Sequence, residues 1–102
     1  MNINAQQATT NGVVPVVRPA SSGGDRVRPG VLIRVTNGSG GTVVMSMVVH
    51  TKVDGITVPP KTVTIPDTET VYVRTTKTYV ANDGWCDISF DNETDVDMEV
   101  FV

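Results

Sequence analysis

Leucine occurs once in this 102-residue chain, at Leu32, and cysteine and histidine occur once each, at Cys86 and His50. A single cysteine excludes an intrachain disulfide, and one Cys with one His excludes a zinc cluster. The five aromatic residues are too few for a nucleic-acid stacking platform, and the basic residues are scattered in a chain of pI about 4.8. Nucleic acid is therefore not an expected partner. No run approaches the roughly 20 apolar residues of a membrane helix. The opening residues 1–7 lack the charged and apolar regions of a signal peptide. The expectation is a small soluble protein made in a reducing cytoplasm, with no membrane partner.

What the chain has in quantity is β-branched residues: 20 Val and 14 Thr, a third of all positions. Both lose rotamer freedom in a helix and fit a pleated surface, so the composition predicts an all-β fold. Its length allows one domain. The charge, −3 overall, is unevenly spread. Residues 1–80 carry eight bases against four acids, a net of +4, while residues 81–102 carry seven acids and no base, a net of −7. The late acids alternate with apolar residues, as strands require, so they do not form an acidic tail.

Residues 1–24 differ from the rest. Val13, Val14, Val16 and Val17 are broken by Pro15 and followed by Arg18, Pro19 and the run Ser21-Ser22-Gly23-Gly24. Proline fixes φ and removes a donor, which predicts an extended N-terminal arm over 1–24 ending in a hinge. Some 20 such residues would reach about 65 Å at about 3.3 Å per residue. A neighbouring subunit is the expected anchor, with Val13, Val14, Val16, Val17 and Arg18 as contact residues.

Residues 25–102 read as a single small antiparallel β-sandwich, Ig-like or jelly-roll-like. Six strands are clear, at 31–36, 42–49, 61–65, 70–75, 85–91 and 95–102, with further ones near Val13 and Arg26. The Asn37-Gly38 loop predicts that the first two of these pair as a hairpin. The last two are predicted to pair around residues 92–94. Alternation predicts a core of Val31, Ile33, Val35, Val43, Met45, Met47, Val49, Val63, Ile65, Val71, Val73, Cys86, Ile88, Phe90, Val96, Met98 and Val100. The parity of 42–49 is ambiguous, since Val44 and Val48 are apolar too. Leu32, Tyr72 and Phe101 fall on the outward parity and are candidates for a surface contact patch. Pairing the last two strands opposes Asp87 and Asp91 to Asp95, Asp97 or Glu99, a like-charge conflict. Arg34 or Arg74 on a neighbouring strand would relieve it.

No chemistry-bearing constellation emerges. His50 has no nucleophile or orienting acid beside it in sequence and reads as a strand-end histidine. Cys86 shares parity with Ile88 and Phe90 and reads as a small buried hydrophobe. The acids at 91, 93, 95 and 97 have the alternate spacing of a calcium loop, but Val96 stands where an EF-hand needs Gly, and they read as a turn. Asn37-Gly38-Ser39 and Asn92-Glu93-Thr94 read as turns, not glycosylation sites. No catalytic residue, cofactor, metal or small-molecule substrate is expected.

Asn4-Ala5-Gln6, Gly24-Asp25-Arg26-Val27 with Pro29-Gly30, Val35-Thr36-Asn37-Gly38-Ser39, Thr62-Val63-Thr64-Ile65-Pro66, Asp83-Gly84 and a final valine-rich strand form a recurring order. In these motifs the chain resembles the small head proteins of tailed bacteriophages that infect actinobacteria, described as minor capsid or head decoration proteins. It departs from them in Pro66-Asp67-Thr68 and in a more acidic last strand. The resemblance implies a virion protein that binds the major capsid protein, forms a homo-oligomer on the capsid lattice and stabilises the head. One alternative is an Ig-like module that recognises host-surface carbohydrate through Trp85 and Tyr79. Another is a head–tail joining or tail subunit.

Overall fold

The computed structural model describes residues 2–7, 16–50, 55, 56 and 58–102. Among the described residues there are eight strands: β1 (Arg18–Pro19), β2 (Asp25–Val27), β3 (Leu32–Asn37), β4 (Val43–Met47), β5 (Lys61–Ile65), β6 (Thr70–Arg74), β7 (Cys86–Phe90) and β8 (Val96–Phe101). A 3-10 turn, Lys77–Tyr79, follows β6. The strands form two antiparallel four-stranded sheets, ordered β1-β8-β3-β6 and β2-β7-β4-β5. Only β4 and β5 are consecutive neighbours within one sheet. Every other connection crosses from sheet to sheet, which is the connectivity of a jelly roll. Of the two sandwich forms that the composition allows, this is the second.

The core follows the alternation. Ile33 and Val35 of β3, Val43, Met45 and Met47 of β4, Ile88 of β7 and Val96, Met98 and Val100 of β8 are buried, as are Val31, Ile65 and Cys86. The ambiguity in β4 resolves to the odd parity, with Val44 half-buried and Val48 exposed. Val49, Val63, Val71, Val73 and Phe90 are only half-buried. Ile3, Ala20 and Val27 join the core from segments that alternation did not flag.

Neither predicted hairpin forms. β3 pairs with β6 and β8, while β7 pairs with β2 and β4. Residues 38–42 and 91–95 are arches between the sheets. Asn37 explains the first: its side chain is buried and its Nδ2 donates to the carbonyls of Gly41 (2.8 Å), Ile65 (2.9 Å) and Pro66 (3.3 Å). Its Oδ1 accepts from the Ser39 amide and hydroxyl. The asparagine thus ties one arch to the next instead of turning a hairpin. The Gly38 amide donates to the Asp95 carbonyl at 2.9 Å, and a Cβ on Gly38 would lie 3.1 Å from that oxygen. Charge explains the second arch. With β7 and β8 in different sheets, Asp87 lies opposite Arg26 and Glu99 opposite Arg34, so the like-charge conflict disappears.

The N-terminal segment is extended, as its prolines require, but its described parts lie on the sandwich itself. The Ile3 amide donates to the Arg26 carbonyl of β2 (2.8 Å). Three residues on, the Gln6 amide donates to Val100 of β8 and the Gln6 carbonyl accepts from Val102, both at 2.8 Å. Residues 2–7 therefore strap one sheet edge to the other, with Ile3 sunk into the core at 2% exposure. Arg18 and Pro19 pair with Met98 and Asp97, and buried Ala20 donates to Val96. Within the predicted arm over 1–24, apolar burial of Ile3 and Ala20 and backbone pairing hold the described stretches against the sandwich. Val13 and Val14 lie outside the described residues.

Candidate interaction surfaces

The outward parity of β3, β6 and β8 builds one continuous face. Register places Leu32 between Phe101 and Arg74, Arg34 between Glu99 and Tyr72, and Thr36 between Asp97 and Thr70. The three predicted patch residues thus share a face: Leu32 and Phe101 are direct cross-strand partners, and Tyr72 stands one row away. Tyr72 is 62% exposed, and Leu32 and Phe101 are half-buried. Arg34 organises the centre, with Nη1 2.6 Å from Glu99 Oε1 and Nε donating to the Tyr72 hydroxyl at 3.2 Å. Glu99 is 9% exposed on this outward face. The Arg34–Glu99 pair is the relief that the charge pattern called for; Arg74 instead donates to the Gly30 carbonyl at 3.2 Å.

The described arm residues border this face. Gln6, the bridge partner of Phe101, clamps Val16 by its side chain: Oε1 accepts the Val16 amide at 2.6 Å and Nε2 donates to the Val16 carbonyl at 3.1 Å. Val16 and Val17 are exposed, and Arg18 is half-buried on the β8 edge. Exposed valines therefore rim a face that carries Phe, Tyr, Leu and Arg. Aromatic residues and arginine are the types enriched at interface centres.

The other sheet presents a different outer surface. Arg26 of β2 is bound by two carboxylates: Nε lies 2.7 Å from Asp87 Oδ1, while Nη1 and Nη2 lie 2.6 and 2.8 Å from the two oxygens of Asp83. His50 Nε2 lies 2.9 Å from the second oxygen of Asp87. The Arg26 fork holds the Asp83 carboxyl below its ordinary range. Shallow depressions of about 370 and 340 Å³ flank the cluster. Asp87 is thus shared between Arg26 and His50, and the group ties β2 and β7 to the loops beside them. Cross-strand register builds it, which is why spacing in the sequence did not reveal it.

Cys86 is buried, and burial followed by the neighbouring Asp87 charge pushes its thiol up, away from the reactive thiolate. Trp85 is half-buried, and the Arg28 guanidinium sits 3.9 Å from its ring centre. Arg28 thus covers one face of the Trp85 ring, and Tyr79 is also half-buried. In the 91–95 arch Asp91 accepts the Val44 amide (2.9 Å) and Asn92 accepts the Thr94 amide (3.1 Å). Among the described residues no three His, Cys, Asp or Glu side chains converge as metal ligands would. No family model matches the chain, and no curated protein or solved structure matches it either.

Proposed function

We propose that this chain is a structural virion protein, a capsid decoration or minor capsid protein that binds the major capsid protein of a tailed-phage head and stabilises it. The observation that carries the reading is the outer face of the β1-β8-β3-β6 sheet. Antiparallel sheets ordinarily turn a polar face to water. This one gathers Leu32, Phe101, Tyr72, Arg34 and Arg74 in adjacent rows, rimmed by exposed Val16 and Val17. The jelly roll is shared by viral coat proteins, lectins and cupins, so architecture alone does not choose among them. What supports a protein partner is the outer face, where Phe101, Tyr72 and Leu32 stand beside the Arg34–Glu99 pair and Arg74. Several residues that carry the family resemblance are ones this fold requires. Asn37 staples two arches, and Gly24 has no room for a Cβ, which would lie 2.8 Å from the Ile88 carbonyl oxygen.

Binding of this kind stabilises a shell by mass action at many equivalent sites. The test is co-sedimentation of the purified chain with phage heads that lack it. Saturable binding is expected, and Tyr72→Ala should weaken it about tenfold, the effect of removing an aromatic anchor from an interface centre. Absence of binding by the intact chain would refute the reading. Truncation at residue 24 is not a clean test, because it removes Ile3 and Ala20 from the core.

A further inference from the structure

We propose that β5 is a homodimerisation edge, along which two copies of this chain pair antiparallel about a two-fold axis at Val63. The proposal does not depend on the capsid reading. β5 and β6 are the outermost strands of their sheets on the same side of the sandwich, and each has one partner strand among the described residues. The core is open there. Val63, Val71 and Val73 are half-buried, whereas their register partners Met45, Val35 and Ile33 are fully buried.

Backbone bonding fixes which groups are available. The Val48 amide donates to Asp87, and the Asp91 amide donates to Val44, both at 3.1 Å, so the even residues of β4 face β7. The odd residues of β4 then face β5, where Lys61, Val63 and Ile65 are their partners. Thr62 and Thr64 are left with amide and carbonyl directed outward. About a two-fold axis at Val63, Thr62 of one copy lies opposite Thr64 of the other, twice over. Both threonines are then in the hydrogen-bonded kind of antiparallel pair, and their side chains form Thr–Thr cross-strand pairs. Val63 meets its own copy and closes the open core. Lys61 lies opposite Ile65, so no like charges face each other.

Two further features select a second copy of this chain as the occupant. The arches at the Asn37 end of the sandwich carry Asp67, Glu69, Asp91, Glu93 and Asp95 and no base, while Lys61, Arg74 and Lys77 lie toward the opposite end of the open side. Antiparallel pairing sets the acidic end of one copy against the basic end of the other, whereas a parallel arrangement would align like with like. Prolines 59, 60 and 66 bracket the edge and confine an added strand to five residues. β5 itself has that length, and a C2 contact needs only a self-complementary patch.

Sedimentation velocity on the full chain tests this. A species of twice the 10.9 kDa chain mass is expected. Thr64→Pro removes an outward amide that β4 does not use and should give monomer with unchanged far-UV circular dichroism. Lys61→Asp and Asp67→Lys should each raise the dimer dissociation constant roughly 3- to 30-fold, since each acts twice per dimer. The double variant should recover the original value. A chain monomeric at all concentrations, a trimer or higher ring, undiminished dimer in Thr64→Pro, or no recovery in the double swap would each overturn the proposal.

Discussion

The two sides of this sandwich solve the same problem differently. Each side exposes one edge from each sheet, and unpaired edges invite unwanted pairing. On the β1/β2 side the chain covers the edges itself: residues 2–7 run from Arg26 in one sheet to Phe101 in the other and drop Ile3 into the core between them. On the β5/β6 side the described crossing is the 66–69 connection at one end, no described strand pairs along the edges, prolines bracket β5, and three core valines stay only half-buried. Completion of a small β core is thus intramolecular on one side and left to a partner on the other. A domain of this size buries only about two-thirds of its unfolded surface, so each closure weighs heavily in its stability.

The largest expected effect comes from breaking the closed side. Ile3→Ala should cost about 2–4 kcal/mol, the transfer loss plus the cavity left in a rigid site, and Ile3→Val about 1 kcal/mol. Urea denaturation followed by Trp85 fluorescence gives both values. Deleting residues 1–7 removes Ile3 together with the backbone bonds to Arg26, Val100 and Val102, and it should abolish the cooperative transition at 37 °C. A truncated chain that unfolds like the intact one would mean that the strap is ornamental.

Next in size is Asn37, which ties the acidic end of the open side. Its buried amide donates to three carbonyls and accepts two bonds, so Asn37→Ala leaves several polar groups unpaired and should cost about 2–3 kcal/mol. The same residue marks how far sequence could be read. Asn-Gly between two β-rich runs signals a connection, but a hairpin and an arch share that local signature. Which one forms depends on whether the flanking strands meet edge to edge or face to face, and that is a tertiary choice. The acid pattern of β7 and β8 did carry a clue, because pairing them would have opposed like charges.

Burial parity was legible nearly everywhere, because a period of two is a property of the strand alone. It placed Leu32, Tyr72 and Phe101 outward, and register then brought them onto one face. The strap was not legible. Ile3 is an isolated apolar residue among Asn, Ala and Gln, with no periodicity to mark it, and prolines that predict an extended chain do not say where the chain lies. The Arg26–Asp83–Asp87 tether joins residues 57 and 61 positions apart and exists only through the β2–β7 register.

Smaller again is the open-side counterpart of Ile3. Val63→Ala removes a side chain that is only half-buried and should cost about 1 kcal/mol in the monomer. The difference between Ile3→Ala and Val63→Ala measures the asymmetry of the two sides directly. If both cost the same, the half-exposed valines are already sheltered, and the open side is open in name only.

The smallest effect is electrostatic and falls on the closed side, because Arg26 both receives the strap and holds Asp83. Hydrogen bonding to Arg26 lowers the Asp83 carboxyl below its ordinary value of 3.8 in the folded state. On acidification the unfolded chain therefore takes up this proton first. The stabilisation is complete above the ordinary value and disappears as pH falls through the lower folded-state value. Asp83 is exposed and Arg26 only half-buried, so the effect is small and shrinks with added salt. Urea midpoints measured from pH 6 down to pH 2 should fall less steeply below about pH 4 in Asp83→Asn than in the parent chain. Parallel slopes would show that Arg26 holds its carbonyl in place for the Ile3 amide without help from Asp83, and the closed side would then rest on apolar burial and backbone pairing.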